Sequence, residues 1–446
     1  MESVMPFKNL FIRLIRARRN FSYTRNETIQ TNSAESYRPT LQDLLRIKER
    51  LERVLTENII PFWYSKVIDL EYGGYRLNHD IRGRWNGIAN KHLVTQARTV
   101  WFFSRLANTE YGTNKHLEAA RHGYEFLCDR MWDKQFGGFY WEVDSSGSRV
   151  SKPCKHMYGQ AFGLYALSQY AVASGDSRAT ALAQKLFSLM DNYAHDSEHG
   201  GYVEFFSSDW SLVPLNTIGY MNVAANIKLM NTHLHLMEAI TAYFLVSKDP
   251  LARERLIELI FVQSNAVVRK AVGACTDKYQ SNWVPLKGPD CNSVSYGHIL
   301  ENVWMLIEAC NVAGIPNFPL LDLCQALFGY SLQYGFDQRS GGFYYIGQLH
   351  KSADRREKIW WVQAEGLVSA LQMYRLTGEE IYFDCFSRTL DWVVKHQVDW
   401  EYGDWYAQLA ENGKPSGDKA GAWKSPYHNG RAMVQCLELL KPFIES

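Results

Sequence analysis

Two histidines on consecutive predicted inner helices are each followed, three residues later, by a glutamate. The pairs are His235 with Glu238 and His298 with Glu301. Residues three apart lie on the same face of an α-helix, so each glutamate can orient its imidazole and raise the basicity of the ring. An imidazole held in this way can take up a proton and return it, which is general acid–base catalysis. We therefore predict His298 and Glu301 as a catalytic pair.

A single His-x-x-Glu pair is more often a helix-surface contact, but two pairs on consecutive helices favour a shared site. Asn231 lies four residues before His235 on the same helical face, whereas His233 points elsewhere and is expected to form a structural hydrogen bond. The order His-x-x-Glu is the reverse of that in di-metal bundles, and the chain has no His-Glu-x-x-His sequence. No metal is therefore predicted.

Three other segments place polar residues at or near the start of a predicted helix. Arg98 has a permanent charge that suits an anionic or oxyanionic group, or else forms a surface salt bridge. His428 precedes the predicted last helix, 432–440, where it or Asn429 either caps that helix or belongs to the site. Glu365 lies in the first turns of a helix predicted at 363–377.

These helices belong to a repeat marked by glycine followed by an aromatic residue. Intervals of 64, 63, 141 and 62 residues separate the first glycines of five copies, and Gly273 divides the long interval as a degraded sixth copy. Six units of roughly 60 to 70 residues with two helices each must pack against one another to bury a core. The predicted fold is all-α, an (α/α)6 barrel with short β-hairpin-like loops at one end and a ligand funnel at one mouth. The five copies begin at Gly73, Gly137, Gly200, Gly341 and Gly403.

The composition indicates a small neutral ligand. The 446 residues include 48 basic and 47 acidic side chains, a net charge of +1, which gives no electrostatic reason to expect nucleic acid or a membrane surface. An aromatic fraction of 14% suits the apolar faces of sugar rings as well as a large core. Nothing in the sequence sets an oligomeric state.

The cysteines and the apolar runs indicate where the protein resides. Eight cysteines without a Cys-x-x-Cys pair are typical of reduced thiols, so a cytoplasmic location is expected. No run reaches the roughly 18 apolar residues that a membrane span needs, and no stable membrane insertion is expected.

Residues 1–40 differ from the rest and are predicted to lie outside the fold, leaving 41–446 as one catalytic domain. Residues 7–19 combine helical spacing of apolar residues with basic ones. Such a segment is either a dispensable extension, which we favour, or an organelle transit peptide or weak membrane-surface helix. A polar linker follows at 26–40.

Six strings along the chain together resemble the N-acylglucosamine 2-epimerase superfamily, and most closely its cellobiose 2-epimerase branch. They occur in the family's order from residue 96 to residue 431 and so cover nearly all of the predicted barrel. The chain departs from the pattern at Ile299 and Asp404, positions that concern the choice of substrate more than the chemistry. The strings are Gln96-Ala97-Arg98, Tyr158 to Phe162, Asn231 to His235, Gly297-His298 with Glu301 and Trp304, Trp360 to Glu365, and Trp423 to Arg431.

The resemblance implies an (α/α)6 barrel that needs no cofactor and inverts carbon 2 of a reducing-end sugar. His298 and His428 look like the acid–base residues, Glu301 like the support of His298, and His235 like a further catalytic-site residue that holds the opened sugar. The remaining positions that match the family's substrate-binding residues are Arg98, Tyr158, Asn231, Trp361, Glu365 and Trp423.

These residue types agree with proton transfer next to a sugar aldehyde. A histidine with a pKa of about 6.5 suits removal of the C2 proton, and Arg98 suits the enediolate oxygen. We expect His428 rather than His298 to take that proton, with rotation about C2–C3 before reprotonation.

Several functions remain open from the sequence. The preferred substrates are cellobiose and lactose, then free mannose or glucose, then N-acetylated sugars, and reprotonation at C1 would give aldose–ketose isomerisation. An inverting glycoside hydrolase would draw on Glu238, Glu301 and Glu365, and would leave the histidines without a task. A non-catalytic sugar-binding protein is the third possibility.

Overall fold

The computed structural model describes residues 39–288 and 291–445. Six helices form an inner ring, in which each contacts the next and the last contacts the first, and the others surround them. The prediction of an (α/α)6 barrel is confirmed. The inner helices are α3 (Leu93–Ala107), α5 (Met157–Ser174), α7 (Met230–Ser247), α9 (Tyr296–Ala313), α11 (Trp360–Thr377) and α13 (Tyr427–Glu445).

The outer helices alternate with the inner ones along the chain, and several contain π-helical turns. These turns occupy Val54–Ile59, Leu127–Met131, Val262–Ala266 and Val393–Gln397. The outer helices are α1 (Leu41–Arg53), continued by α2 (Ile60–Lys66), then α4 (Asn114–Phe126), α6 (Ser177–Ala194), α8 (Pro250–Phe261), α10 (Phe318–Tyr334) and α12 (Glu380–Trp392).

Short antiparallel strands lie in the connections from outer to inner helices. They form the sheets β1-β2-β3, β4-β5, β6-β9, β7-β8, β10-β11 and β12-β13-β14. The strands are β1 (Lys91–His92), β2 (Glu142–Val143), β3 (Val150–Lys152), β4 (Lys155–His156), β5 (Phe205–Phe206), β6 (Ile227–Leu229), β7 (Val268–Arg269), β8 (Ala274–Cys275), β9 (Lys278–Gln280), β10 (Ser293–Ser295), β11 (Ile346–Gln348), β12 (Lys358–Ile359), β13 (Gln408–Leu409) and β14 (Pro415–Ser416).

Each glycine-aromatic loop is tied to the inner helix that follows it. In the first copy Gly74 has φ +66°, a conformation that suits glycine, and a Cβ there would lie 2.6 Å from the Gln96 side chain. Gln96 accepts from Tyr75 N and donates to Tyr75 O, both at 2.8 Å, while the buried Lys91 pairs with Asp69 at 2.7 Å. These contacts fix the start of α3. Gln160 and Gln363 form the same bonds to Phe139 and Phe343.

The predicted position of the degraded copy at Gly273, which is the fourth along the chain, is confirmed. Gly273, with φ +72°, lies between β7 and β8, where Val268 faces Cys275 as the paired residues do in the other copies. The glutamine position of this unit is Ile299, fully buried at the fourth residue of α9. The departure from the family pattern at Ile299 therefore accompanies the loss of the Gly-Gly loop that a glutamine would bind.

In the third copy His233 replaces the glutamine, and its predicted structural role is confirmed. Its Nε2 accepts from Tyr202 N at 2.9 Å, and its Nδ1 donates to Leu229 O at 2.7 Å. Burial lowers the pKa of His233 to about 3, so the neutral ring is the form that the fold holds. The hydrogen bonds of the neutral His233 ring contribute their full stability at pH values above about 6.5, the pKa of histidine in the unfolded chain. This contribution to stability falls as the pH drops from 6.5 towards 3.

We expect His233→Gln to remove this acid sensitivity, because glutamine accepts the same bond from the aromatic residue's backbone N–H in three other copies. At pH 8 the variant should match the wild type within about 1 kcal/mol. At pH 5 it should have gained about 2 kcal/mol relative to the wild type, since 1.5 pH units below 6.5 cost about 1.4 kcal/mol each. Urea unfolding at both pH values measures this, and an unchanged difference between the two would contradict it.

Two predictions about the ends of the chain have different outcomes. The last helix begins at Tyr427 rather than at 432, so His428 and Asn429 lie within its first turn, and the alternative in which one of them caps it is excluded. The basic segment at 7–19 lies outside the described residues, and its helix stays a prediction. In the part of the chain that the structure describes, no helix is long and apolar enough to cross a membrane.

Candidate active site

The predicted site residues lie near the N-terminal ends of the inner helices. Counted from the first residue of each helix, most occupy positions two, six and nine, which are four and then three residues apart. This spacing places them on one helical face, which the ring turns towards the barrel axis. His298 occupies position three of α9. Position two provides Tyr158, Asn231, Trp361 and His428, position six Arg98, His235, Glu301 and Glu365, and position nine Glu238 and Trp304.

His428 is paired with Glu365, a residue predicted only as a substrate ligand. The two are joined by a 2.6 Å hydrogen bond between Nδ1 and Oε1, and Trp304 Nε1 donates to the other carboxylate oxygen at 2.8 Å. Burial, with the charges of Arg98 and Arg431, holds the pKa of His428 well below its usual value. His428 is therefore a neutral imidazole with Nδ1–H on Glu365, which leaves Nε2 as the basic nitrogen.

His298 is half-buried and has a different partner from the one predicted. Its ring centroid lies 4.8 Å from that of Trp361, which in turn lies 5.7 Å from that of His428. Burial, followed by the charge of His235, lowers the pKa of His298 to about 3. No hydrogen bond joins His298 to Glu301, so the pairing predicted from their spacing is wrong.

Glu301 points instead towards Arg431, which binds three carboxylates at the centre of the site. Arg431 Nη2 donates to Glu365 at 2.7 Å and to Glu301 at 3.2 Å, while Nη1 donates to Glu238. All four side chains are almost completely buried. The attraction of Glu301 to this fixed guanidinium explains why Glu301 does not hydrogen-bond to His298, three residues before it.

The pKa values of Glu301 and Glu238 are shifted in opposite directions. Burial and the charge of Glu365 raise the pKa of Glu301 well above its ordinary value, and Glu301 Oε2 is buried without a hydrogen-bond partner. Burial also acts to raise the pKa of Glu238, but Arg431 and His235 outweigh it, and the pKa is lowered. Arg431 thus binds one carboxyl group that favours the protonated form, Glu301, and one that favours the ionised form, Glu238.

The predicted pairing of His235 with Glu238 is confirmed. Nδ1 of His235 lies 3.0 Å from Glu238 Oε2, and Tyr427 Oη donates to the same carboxylate at 2.5 Å. Burial lowers the pKa of His235, with the charges of Arg98 and Arg431 adding to the effect. A third neutral histidine therefore faces the interior.

Arg98 lies beside the histidines rather than in a surface salt bridge. Its Nη2 donates to Tyr158 Oη at 3.1 Å, and its guanidinium carbon lies 4.1 Å from the Phe162 ring centroid. Only 3% of Arg98 is exposed, and its Nε has no hydrogen-bond partner within the described residues. An unneutralised cation with a free donor suits a ligand oxygen that gains negative charge.

Two predicted ligand residues lie at the mouth. Trp423 is 46% exposed, and its ring centroid is 6.1 Å from that of Tyr158 and 6.2 Å from that of Trp141. Asn231 is the second residue of α7 and keeps a buried Oδ1 without a partner in the described residues. Trp423 and Trp361 thus offer an outer and an inner aromatic surface.

One group of side chains in the described residues has metal-compatible spacing. A nitrogen of His428 and one oxygen each of Glu301 and Glu365 lie within 4.8 Å of one another. Arg431 already donates to both carboxylates, so a metal ion placed among them would meet a fixed positive charge. The arrangement suits a guanidinium better than a second cation.

Arg431 and Tyr427 are the central residues that the sequence did not single out. Both belong to the string Trp423 to Arg431, but a lone arginine inside an apolar helix carries no spacing signal for its partners. Their contacts join α13 to α7, α9 and α11, which are distant in the sequence. The sequence signal that could have singled out Arg431 was a charged residue in an otherwise apolar helix.

Comparison with known proteins identifies the family of this chain. The N-acylglucosamine 2-epimerase (GlcNAc 2-epimerase) family model matches residues 73–432. The cellobiose 2-epimerase of Ruminococcus albus is 31% identical over 397 residues, which cover 87% of this chain and 97% of that protein. The D-mannose isomerase of Marinomonas mediterranea is 26% identical over 401 residues, 86% of this chain and 95% of that one.

A solved structure extends the similarity to the fold. The cellobiose 2-epimerase of Bacillus thermoamylovorans B4167 superimposes with a TM-score of 0.82 at 28% identity, covering 88% of this chain and 99% of that one. The match therefore includes the whole described barrel rather than one motif. The chain belongs to the N-acylglucosamine 2-epimerase family and is an isomerase, a sugar 2-epimerase.

Proposed function

We propose that this enzyme inverts C2 of the reducing-end residue of β-1,4-linked disaccharides, converting cellobiose to glucosyl-mannose and lactose to epilactose. The observation that carries the proposal is the position of Trp361 beside both His298 and His428. A sugar ring on this indole lies within reach of two neutral imidazoles. The cellobiose 2-epimerases at about 30% identity support the same substrate class.

In the proposed reaction His298 and His428 help to open the ring, and His428 Nε2 then takes the C2 proton. The C2–H electron pair forms the C1–C2 double bond of an enediolate, and the carbonyl electrons move to O1. Glu365 supports this step because it holds Nδ1–H and favours the imidazolium that forms. Rotation about C2–C3 presents the other face, and a proton returned to C2 restores the aldehyde.

Arg98 is the proposed partner of the enediolate oxygen. Its buried guanidinium faces the histidines and keeps a donor without a partner, so it can bind O1 as the charge develops. Glu301, whose raised pKa favours the protonated form, can offer a hydrogen to a sugar hydroxyl without adding negative charge.

We expect Trp423→Ala to separate disaccharides from monosaccharides. Trp423 is too exposed to be a core residue, so its loss should leave the fold intact and remove one sugar surface. KM for cellobiose should rise about 10-fold or more, the equivalent of about 1.4 kcal/mol, with a smaller change for mannose. Steady-state kinetics on both sugars measure the ratio, and equal changes would indicate that Trp423 holds only the reducing-end ring.

The alternatives differ in their products. A D-mannose isomerase among the relatives favours aldose–ketose conversion as a second candidate, because the same enediolate gives a ketose on reprotonation at C1. An inverting hydrolase needs carboxyl groups about 6.5–9.5 Å apart with water between them. Here Glu301 and Glu365 have oxygens within 4.8 Å of each other and share Arg431, which disfavours hydrolysis.

The test is proton NMR of the EDTA-treated enzyme in D₂O with cellobiose, lactose, mannose and N-acetylglucosamine. Loss of the C2 proton signal with appearance of the C2 epimer of cellobiose supports the proposal and its independence of metal. Fructose from mannose alone would favour the isomerase. Glucose from cellobiose would mean hydrolysis, and no conversion of any sugar would contradict catalysis on these substrates.

A further inference from the structure

A second cavity lies at the opposite end of the barrel from the candidate active site. It has a volume of about 140 Å³, and a water molecule needs roughly 10–15 Å³ of such space. Its walls continue the inner helical face to position thirteen, where Arg105, Gln169 and Glu308 lie on α3, α5 and α9. Its inner end is formed by Glu238 and Arg431, which separate it from the histidines.

The charges around this cavity do not cancel. Its walls include three carboxylates and two guanidiniums, an excess of one acid. Arg105 pairs with Glu438 at 2.5 Å, and Arg431 pairs with Glu238. Glu308 is left without a hydrogen bond or an ion pair among the described residues.

Two further wall residues have unused hydrogen-bonding atoms. Trp101 is 3% exposed, and its indole Nε1 is buried without an acceptor in the described part of the chain. Gln435 keeps a buried Oε1 that accepts no hydrogen bond there. Unpaired buried polar atoms are costly, and those that line a cavity favour a polar occupant.

The environment of Glu308 supports a positively charged occupant. The Glu308 side chain lines the cavity and is exposed, and the surrounding protein atoms, with the charge of Glu238, raise its pKa. Arg431 and Arg105 act in the opposite direction, while Glu438 adds to the increase. A cation beside Glu308 would offset the repulsion from Glu238, which contributes to the raised pKa.

The spacing of the carboxylates favours an organic cation over a metal ion. The glutamates of this cavity do not form a group with converging ligand atoms, because only Glu301, Glu365 and His428 do so among the described residues. An ammonium group needs hydrogen-bond acceptors but no fixed coordination shell.

We propose that the far-end cavity binds a small hydroxylated primary amine, with Glu308 as the counter-ion of its ammonium group. The side chains of Gln435 and Gln169 contact the rest of the bound amine, and Trp101 can donate a hydrogen bond to the hydroxyl group of this amine. The occupant contacts Glu238 and Arg431 from behind and so binds independently of a sugar at the mouth.

Calorimetric titration with ethanolamine in phosphate buffer tests the proposal, with glycerol as the uncharged probe. We expect saturable binding at pH 8 that weakens at pH 6, on either side of the Glu308 pKa of about 7, and persists with excess cellobiose. Glu308→Gln should weaken it at least 10-fold. The matched control Glu118→Gln, an exposed acid on α4, should bind as the wild type does.

A second variant keeps the test decisive if Glu308→Gln fails to fold. Gln169→Lys places an ammonium group on the cavity wall and should abolish ethanolamine binding. Unchanged affinity in either variant, displacement by cellobiose, or equal binding of glycerol would overturn the proposal.

Discussion

Replacing His428 with asparagine should lower kcat on cellobiose by about 10²–10⁴-fold, the range of a lost general base. Asparagine keeps a donor near Glu365 but has no basic nitrogen in place of Nε2. Glu365 retains its 2.7 Å bond to Arg431, so the barrel should stay folded. KM should change little, because His428 acts on a proton rather than holding the sugar. Steady-state kinetics with a thermal melt of the same sample measure both effects.

The matched control is His396→Asn, an exposed histidine in the π-helical turns after α12. It should leave kcat unchanged. Near-normal turnover in His428→Asn would remove His428 from the proton transfer and leave His298 as the base. A loss of kcat that accompanies unfolding in the melt would not count as support.

Replacing Arg431 with methionine should lower the free energy of unfolding by about 3–5 kcal/mol, the cost of removing one partner of a buried ion pair. Methionine has a similar length but leaves Glu238, Glu301 and Glu365 without their shared cation. We expect the variant to recover part of this loss at low pH, because protonation of the carboxyl groups removes their repulsion. Urea unfolding at pH 7.5 and pH 5 measures both effects.

Lys441→Met is the control on the same helix. Lys441 and Glu445 form an exposed pair, each 63% exposed, and such pairs contribute about 0–1 kcal/mol. A cost for Arg431→Met close to that of the control would mean that the three carboxylates are already neutral in the folded enzyme.

The repeat explains why the fold was predictable. Each Gly-Gly-aromatic loop carries a short-range signal, and Gln96, Gln160 and Gln363 bind their loops at nearly the same sequence separation. Even the degraded copy at Gly273 keeps its place between an outer and an inner helix. Contacts within one unit are local, so their pattern survives in the sequence.

The sequence by itself determined the six-unit barrel, the helical face that carries the polar residues and the local pair of His235 with Glu238. Only the tertiary structure decided that Glu365 hydrogen-bonds to His428 and that Glu301 binds Arg431 instead of His298. The reason is that Arg431, from the last helix, attracts carboxylates from three other helices. Ring closure sets those distances, and no spacing along the chain encodes them.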